Sequence, residues 1–236
     1  MDEPLPFASA LKRTNSSRTY SSLSSTVDRL LGGGYRSGTA TEVFGKSNSG
    51  KTQLTMQAVM SVAHAGQSAL FIDTEGAFRP ERIEGMAAAR GWDTGEILNR
   101  IVYIRAADST QQREVIRRLG EQSGTAACRL VAVDTLTANF SLDYPGSQNL
   151  PRRQGAIDAH LSEISRDAFL NGRAYVLANR VVLSREGSEA HVGGRTVDQM
   201  VHRAVYLQRE GNGVRAKLVG EAGNGLLATL GPSGVD

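Results

Sequence analysis

Residues 41–53 read TEVFGKSNSGKTQ, and the eight from Gly45 to Thr52 fit the pattern G-x-x-x-x-G-K-[ST]. An apolar run, Thr41–Phe44, enters this stretch, and a helical pattern over Gln53–Ala65 leaves it. Holding several phosphate charges against a backbone needs a loop that can curl with its N–H groups pointing inward, and Gly45 and Gly50 permit that curl. The helix that follows adds positive potential at its N-terminus. Lys46, Ser47, Asn48 and Ser49 complete the loop, Lys51 can reach the outer phosphates, and the Thr52 hydroxyl is a magnesium ligand by type. The stretch implies a site for a nucleoside triphosphate with Mg2+.

Such a site needs carboxylates at the ends of neighbouring strands, and two stretches supply them. Leu130–Val133 is an apolar run ending in Asp134, suited to holding magnesium through water. Phe71-Ile72-Asp73-Thr74-Glu75-Gly76 runs a strand out into Glu75, suited to activating a water beside the terminal phosphate. Taken singly, each has a plainer reading: Asp134 as a turn cap, Glu75 as part of a solvated acidic turn.

Around these, the chain alternates. Strand-like runs fall at Ala40–Phe44, Ser68–Ile72, Ile101–Ile104, Leu130–Val133 and Ala174–Leu177, with helical patterns near Lys51–Ala65, Pro80–Arg90, Thr110–Glu121 and Arg153–Leu170. That predicts an α/β fold with a mostly parallel sheet flanked by helices. Ala204–Arg209, Val214–Val219 and Leu226–Leu230 follow closely, with Gly-Asn-Gly at 211–213, and predict a C-terminal antiparallel β extension. Upstream, Thr14–Thr26 is rich in Ser and Thr, as in a linker or an edge segment. Val27, Leu30 and Leu31 then share a helical face closed by Gly32–Gly34. The expected division is an arm and linker over 1–26 and a core over 27–236.

The composition agrees with a globular chain: 236 residues, 40% apolar and 22% charged. No apolar run approaches the roughly 18–20 residues that span a bilayer, and the N-terminus lacks signal-peptide order, so a cytoplasmic location is expected. The net charge of +3 is too small to declare a nucleic-acid binder. Only four of the 27 basic residues are lysines, however, and an arginine bias suits phosphate handling as well as it suits a codon bias. Cys128 is expected to be a small core residue, and His64, His160, His191 and His202 lack metal-ligand spacing.

The chain resembles the ATPase core of the RecA/RadA recombinase family, in its archaeal and eukaryotic branch. The resemblance rests on Leu30–Gly34, Thr41–Gln53, Phe71–Arg82 (FIDTEGAFRPER), Val131–Asp134 and Ala178–Val182 (ANRVV). It implies a RecA-like P-loop core that hydrolyses ATP, binds single-stranded DNA and assembles with recombinase subunits or with itself in recombinational repair. By similarity the nucleotide contacts extend to Gln53, Glu75 is the catalytic carboxylate, and Arg82 stacks on adenine. Phe7 and Ala10 resemble a Phe-x-x-Ala peg that docks on a neighbouring subunit. Residues 137–153, with Tyr144, Arg152 and Arg153, and residues 183–194, with Arg185 and His191, resemble the family's DNA-binding loops.

The sequence departs from the family pattern in four places. The small helical N-terminal domain of full recombinases is expected to be absent ahead of the peg. Arg180 stands where the family usually has Gln, and a fixed cation there is expected to neutralise nucleotide phosphate. The second loop is short and carries Glu186 and Glu189, and 219–226 lacks an Asp-x-Pro segment. These departures fit a core-only, RadB-like accessory member. Two readings stay open: a DNA-dependent or weak ATPase, and an ATP-ordered binding module with negligible turnover. A signalling or motor ATPase of the same fold is a third.

Overall fold

The structure, a computed structural model, describes residues 17–121, 124–183, 189–220, 225–231 and 233–236. In chain order the elements are β1 (Thr19–Tyr20), α1 (Ser25–Leu31), β2 (Tyr35–Arg36), β3 (Ala40–Gly45), α2 (Lys51–His64) and β4 (Ser68–Asp73). Next come α3 (Pro80–Ala88), α4 (Thr94–Leu98), β5 (Ile101–Arg105), α5 (Ser109–Arg117), β6 (Cys128–Asp134), α6 (Ala138–Asp143) and α7 (Leu150–Asn171). The chain finishes with β7 (Ala174–Leu183), β8 (Glu189–His191), α8 (Arg195–Met200), β9 (Arg203–Glu210), β10 (Gly213–Leu218), β11 (Leu226–Gly231) and β12 (Gly234–Val235).

The main sheet runs β12-β11-β10-β9-β3-β7-β6-β4-β5, with β8 paired to β7 beside that path. From β9 to β5 every neighbouring pair is parallel, and from β9 to β12 every pair is antiparallel. The expected α/β architecture with its antiparallel extension is therefore the one observed. Alternation along each strand divides the core between the two faces of the sheet. Phe71, Leu130, Ala132 and Val176 join Leu54, Val59 and Val62 of α2 on one face. Leu70, Ile72, Val131, Val133 and Leu177 join Ile116 of α5, Phe140 of α6 and Ile157, Leu161 and Ile164 of α7 on the other.

The Ser/Thr-rich segment is not a linker over its described part. Tyr20, Ser22 and Ser24 are buried, and β1 pairs with β2. The Ser24 hydroxyl accepts from Val27 N at 3.2 Å and caps α1. Asp28 accepts from the Ser21 and Ser22 hydroxyls, both at 2.6 Å. The serines are hydrogen-bonded structure, so the boundary drawn at residue 26 lies inside the fold. Gln57 of α2 ties both ends of the described chain together: its amide nitrogen donates to Val235 O at 2.9 Å and Leu23 O at 3.1 Å, and its oxygen accepts from Val235 N at 2.8 Å.

Cys128, the first residue of β6, is buried, and burial pushes its thiol up to about 11, in keeping with a core role. A cleft of about 610 Å³ lined by Arg18, Arg36, Arg129, Phe169 and His202 lies at the amino ends of the strands and shares no residue with the phosphate loop. No helix among the described residues is long and apolar enough to cross a membrane.

Candidate functional site

Parallel strands deliver their carboxyl ends to one rim of the sheet, where such folds bind ligands. In that rim Gly45 ends β3, Arg180 lies beside it on β7, Asp134 ends β6 and Asp73 ends β4, in the pairings Gly45↔Arg180 and Asp73↔Asp134. Residues far apart in sequence thus form one row.

The loop between β3 and α2 has the shape its composition predicts. Asn48 and Gly50 take φ of 62° and 96°, in the left-handed region. A Cβ on Gly45 would stand 2.2 Å from Leu207 O, so β9 leaves room for glycine alone. No side chain caps α2, which leaves its first N–H groups for an anion. Lys51 folds back over the loop, its ammonium donating to Gly45 O at 2.9 Å and Lys46 O at 2.7 Å. Burial pushes the Lys51 pKa down, Asp134 works against that, and Arg180 adds to it. The buried Ser49 hydroxyl has no hydrogen-bond partner among the described residues. These features fit a phosphate chain.

Asp134 is likewise buried with unsatisfied oxygens. It is 1% exposed, and neither carboxylate oxygen makes a hydrogen bond of normal geometry. Burial pushes its pKa up to about 6. The nearby Thr52 hydroxyl holds it down, Asp73 raises it, and Lys51 lowers it. An orphaned buried carboxylate beside a hydroxyl is a donor set that fits a hard divalent cation. No group of three or more potential ligand side chains occurs among the described residues, so that cation would draw its remaining ligands from water and the nucleotide.

Glu75 is positioned by Asp73, a residue the sequence reading passed over. Asp73 Oδ1 accepts from the backbone N–H groups of Glu75, Gly76 and Ala77 at 3.0, 2.7 and 3.2 Å, and Oδ2 accepts from Phe78 N at 3.1 Å. The turn after β4 is wound around one buried carboxylate. An Asp two residues ahead of the acid, where a strand ends, was the available signal. Glu75 itself is ion-paired with Arg180, their side chains 25% and 56% exposed.

A family model described as Rad51 matches residues 15–215 of the chain. The chain belongs to the Rad51 family. A DNA repair and recombination protein RadA from Aeropyrum pernix is 36% identical over 205 residues, covering 82% of this chain and 64% of that protein. The protein of the same name from Ignicoccus hospitalis is 37% identical over 170 residues, covering 67% and 52%. The matched region thus spans about half to two thirds of these relatives' length.

In this Rad51-family chain the other predicted residues are placed unevenly. Gln53 turns away from the loop, its amide donating to Met86 Sδ of α3 at 3.1 Å. Arg82 is exposed one turn before Met86 on that helix. Residues 137–153, which resemble the first DNA-binding loop, are largely helical, because polar groups dock the segment. Asn139 donates to Ala106 O at 3.0 Å, and Asp143 accepts from Ser109 N at 2.8 Å. Tyr144 packs partly buried against the core. Arg152 and Arg153 stand in the first turn of α7, Arg152 exposed and Arg153 donating to Tyr144 O at 3.4 Å. Phe7, Ala10, Arg185 and Glu186 lie outside the described residues. Glu189 is tied to the phosphate loop, with Lys46 Nζ at 2.5 Å and the Tyr206 hydroxyl at 2.6 Å.

Behind the rim lies a buried polar network. Asn179 accepts from the Thr137 hydroxyl at 2.7 Å and Arg180 N at 2.9 Å, and donates to Glu42 at 2.7 Å and Val192 O at 2.8 Å. His191 Nδ1 meets Glu42 Oε2 at 2.6 Å, with Asp198 3.1 Å from Nε2. Burial opposes a charge on His191, but the hydrogen bond to Glu42, the Glu42 charge and Asp198 together raise its pKa above the ordinary 6.5. Protonation of His191 therefore stabilises the fold fully below about pH 6.5, and that contribution fades as pH rises through the higher folded value. Urea titrations from pH 6 to 9 are expected to show the wild-type chain losing stability relative to His191→Gln. A pH-independent difference would refute this.

Proposed function

We propose that this chain binds magnesium-ATP through Gly45–Thr52, hydrolyses it, and couples that reaction to single-stranded DNA in recombinational DNA repair. The observation that carries the reading is the convergence on one rim of a partnerless Ser49, an uncapped α2, Lys51, and an orphaned Asp134 beside Thr52. Thr52 and Asp134 would hold the magnesium, which when bound screens the phosphate charge. Glu75 takes a proton from water as that water's oxygen attacks the terminal phosphorus, and the bond to the bridging oxygen breaks to release ADP. Lys51 stabilises charge on the phosphates, Arg82 stacks on the base, and Arg180 supplies a further cation beside the loop.

Arg152 and the N-terminal first turn of α7 offer positive potential to a DNA backbone, and the RadA relatives support the repair setting. Phe7 and Ala10 dock on recombinase subunits or on a second copy. The departures at Arg180 and in the second loop favour a RadB-like accessory role.

Isothermal titration of magnesium-ATP tests the reading. Saturable heat is expected, with Lys51→Ala weakening the affinity at least tenfold, since a charged hydrogen bond contributes about 1.5–3 kcal/mol. No heat with folded wild-type protein would sink the proposal.

The Arg180–Glu75 ion pair favours a second reading, an ATP-ordered module with negligible turnover, because an engaged carboxylate is a poor base. Phosphate release no faster than that of Glu75→Gln, with or without single-stranded DNA, would select it.

A further inference from the structure

The ion pair between Arg180 and Glu75 links the two chemical halves of the rim. Arg180 sits level with Gly45 of the phosphate loop, and its side chain passes the end of β6, where Asp134 stands, to reach the turn after β4. Its main chain is fixed: the Arg180 N–H donates to Asn179, itself held by Thr137, Glu42 and Val192. Its side chain is more than half exposed. The residue therefore has an anchored root and a head free to exchange partners. Glu75 is built the same way, with its backbone pinned by Asp73 and its side chain projecting from the turn.

Resting on the nucleotide reading above, we infer that Arg180 is a latch shared between Glu75 and the terminal phosphate of the nucleotide. A phosphate carrying about two negative charges is a stronger partner for a guanidinium than a single carboxylate. Its arrival draws Arg180 off Glu75 and leaves that carboxylate available to take a proton from water. ADP has no terminal phosphate to offer, so with ADP the pair persists. Arg180 is thus a positioning residue that makes the base available when the substrate is the triphosphate, and it adds affinity for ATP over ADP.

The latch makes a prediction about binding that needs no turnover. Neutralising Glu75 removes the competitor for Arg180, so Glu75→Gln is expected to bind a non-hydrolysable ATP analogue about three- to fivefold more tightly, the scale of a partly exposed ion pair. ADP affinity should be unchanged, and this also reports that the variant is folded. In an Arg180→Gln background the same Glu75→Gln change should give no tightening, whereas Arg180→Lys, which keeps the charge, should retain part of it.

Calorimetry on these variants with magnesium and either nucleotide decides the matter. Unchanged analogue affinity in Glu75→Gln overturns the latch and leaves the nucleotide site intact. Equal tightening with Arg180 present or absent also overturns it, since simple relief of charge repulsion would then suffice. Equal tightening for ADP does the same. Failure of the wild-type chain to bind either nucleotide overturns both the latch and the function proposed above.

Discussion

Glu75→Gln is expected to lower phosphate release by about 10²- to 10⁴-fold, the range for losing a positioned general base. The amide keeps the size of the side chain, and Asp73 holds the turn through backbone N–H groups that the substitution leaves untouched. The loss should therefore fall on turnover, with nucleotide affinity kept or increased. Steady-state rates with and without single-stranded DNA, set beside calorimetry, provide the check. Turnover within threefold of wild type would remove Glu75 from the reaction.

Asp134→Asn is expected to stabilise the fold in the absence of magnesium while abolishing the magnesium-dependent gain in ATP affinity. The Asp134 carboxyl holds its proton up to about pH 6 in the folded chain, against an ordinary 3.8. Because the folded state is the weaker acid, folding takes up a proton between those values. Stability contributed by this site therefore falls as pH rises from about 4 to 6 and stays low above that. At pH 7.5 the neutral amide escapes this cost, roughly 3 kcal/mol at the scale of 1.36 kcal/mol per pKa unit. Below pH 4 the two chains should converge. Urea unfolding across this range is the measurement, and a less stable Asn variant at pH 7.5 would contradict the buried-charge account. On the proposed reading, a bound cation would compensate the cost of burying this carboxylate.

Legibility followed the range of the interactions. The phosphate loop could be read because its chemistry is local: two glycines, a lysine and a hydroxyl within eight residues, between a strand and a helix. Asp134 stands out because it ends an apolar run, and Glu75 because it follows one by two residues past the strand end. The helices within 137–153 are not legible locally, because what makes the segment helical is docking to Ala106 and Ser109, some thirty residues away. The serines of 21–25 resembled a linker by composition, yet Asp28 and Val27 take up their hydroxyls and turn them into caps. Asp73 went unnoticed because a strand-end aspartate becomes a turn organiser only once the next five residues wrap around it.

The amino-acid order alone determined that this chain builds alternating strands and helices, ends in a meander, and curls a glycine-flanked loop suited to phosphate. Each of those features follows from side-chain periodicity or backbone freedom within a few residues. Only the tertiary structure decided that Arg180 faces Glu75, that Asp134 lies buried without a partner, and that Glu42 joins Asn179 to His191. Those pairings depend on the lateral order β3-β7-β6-β4, and strand neighbours in a parallel sheet are chosen by long-range packing of both faces, which no local pattern encodes.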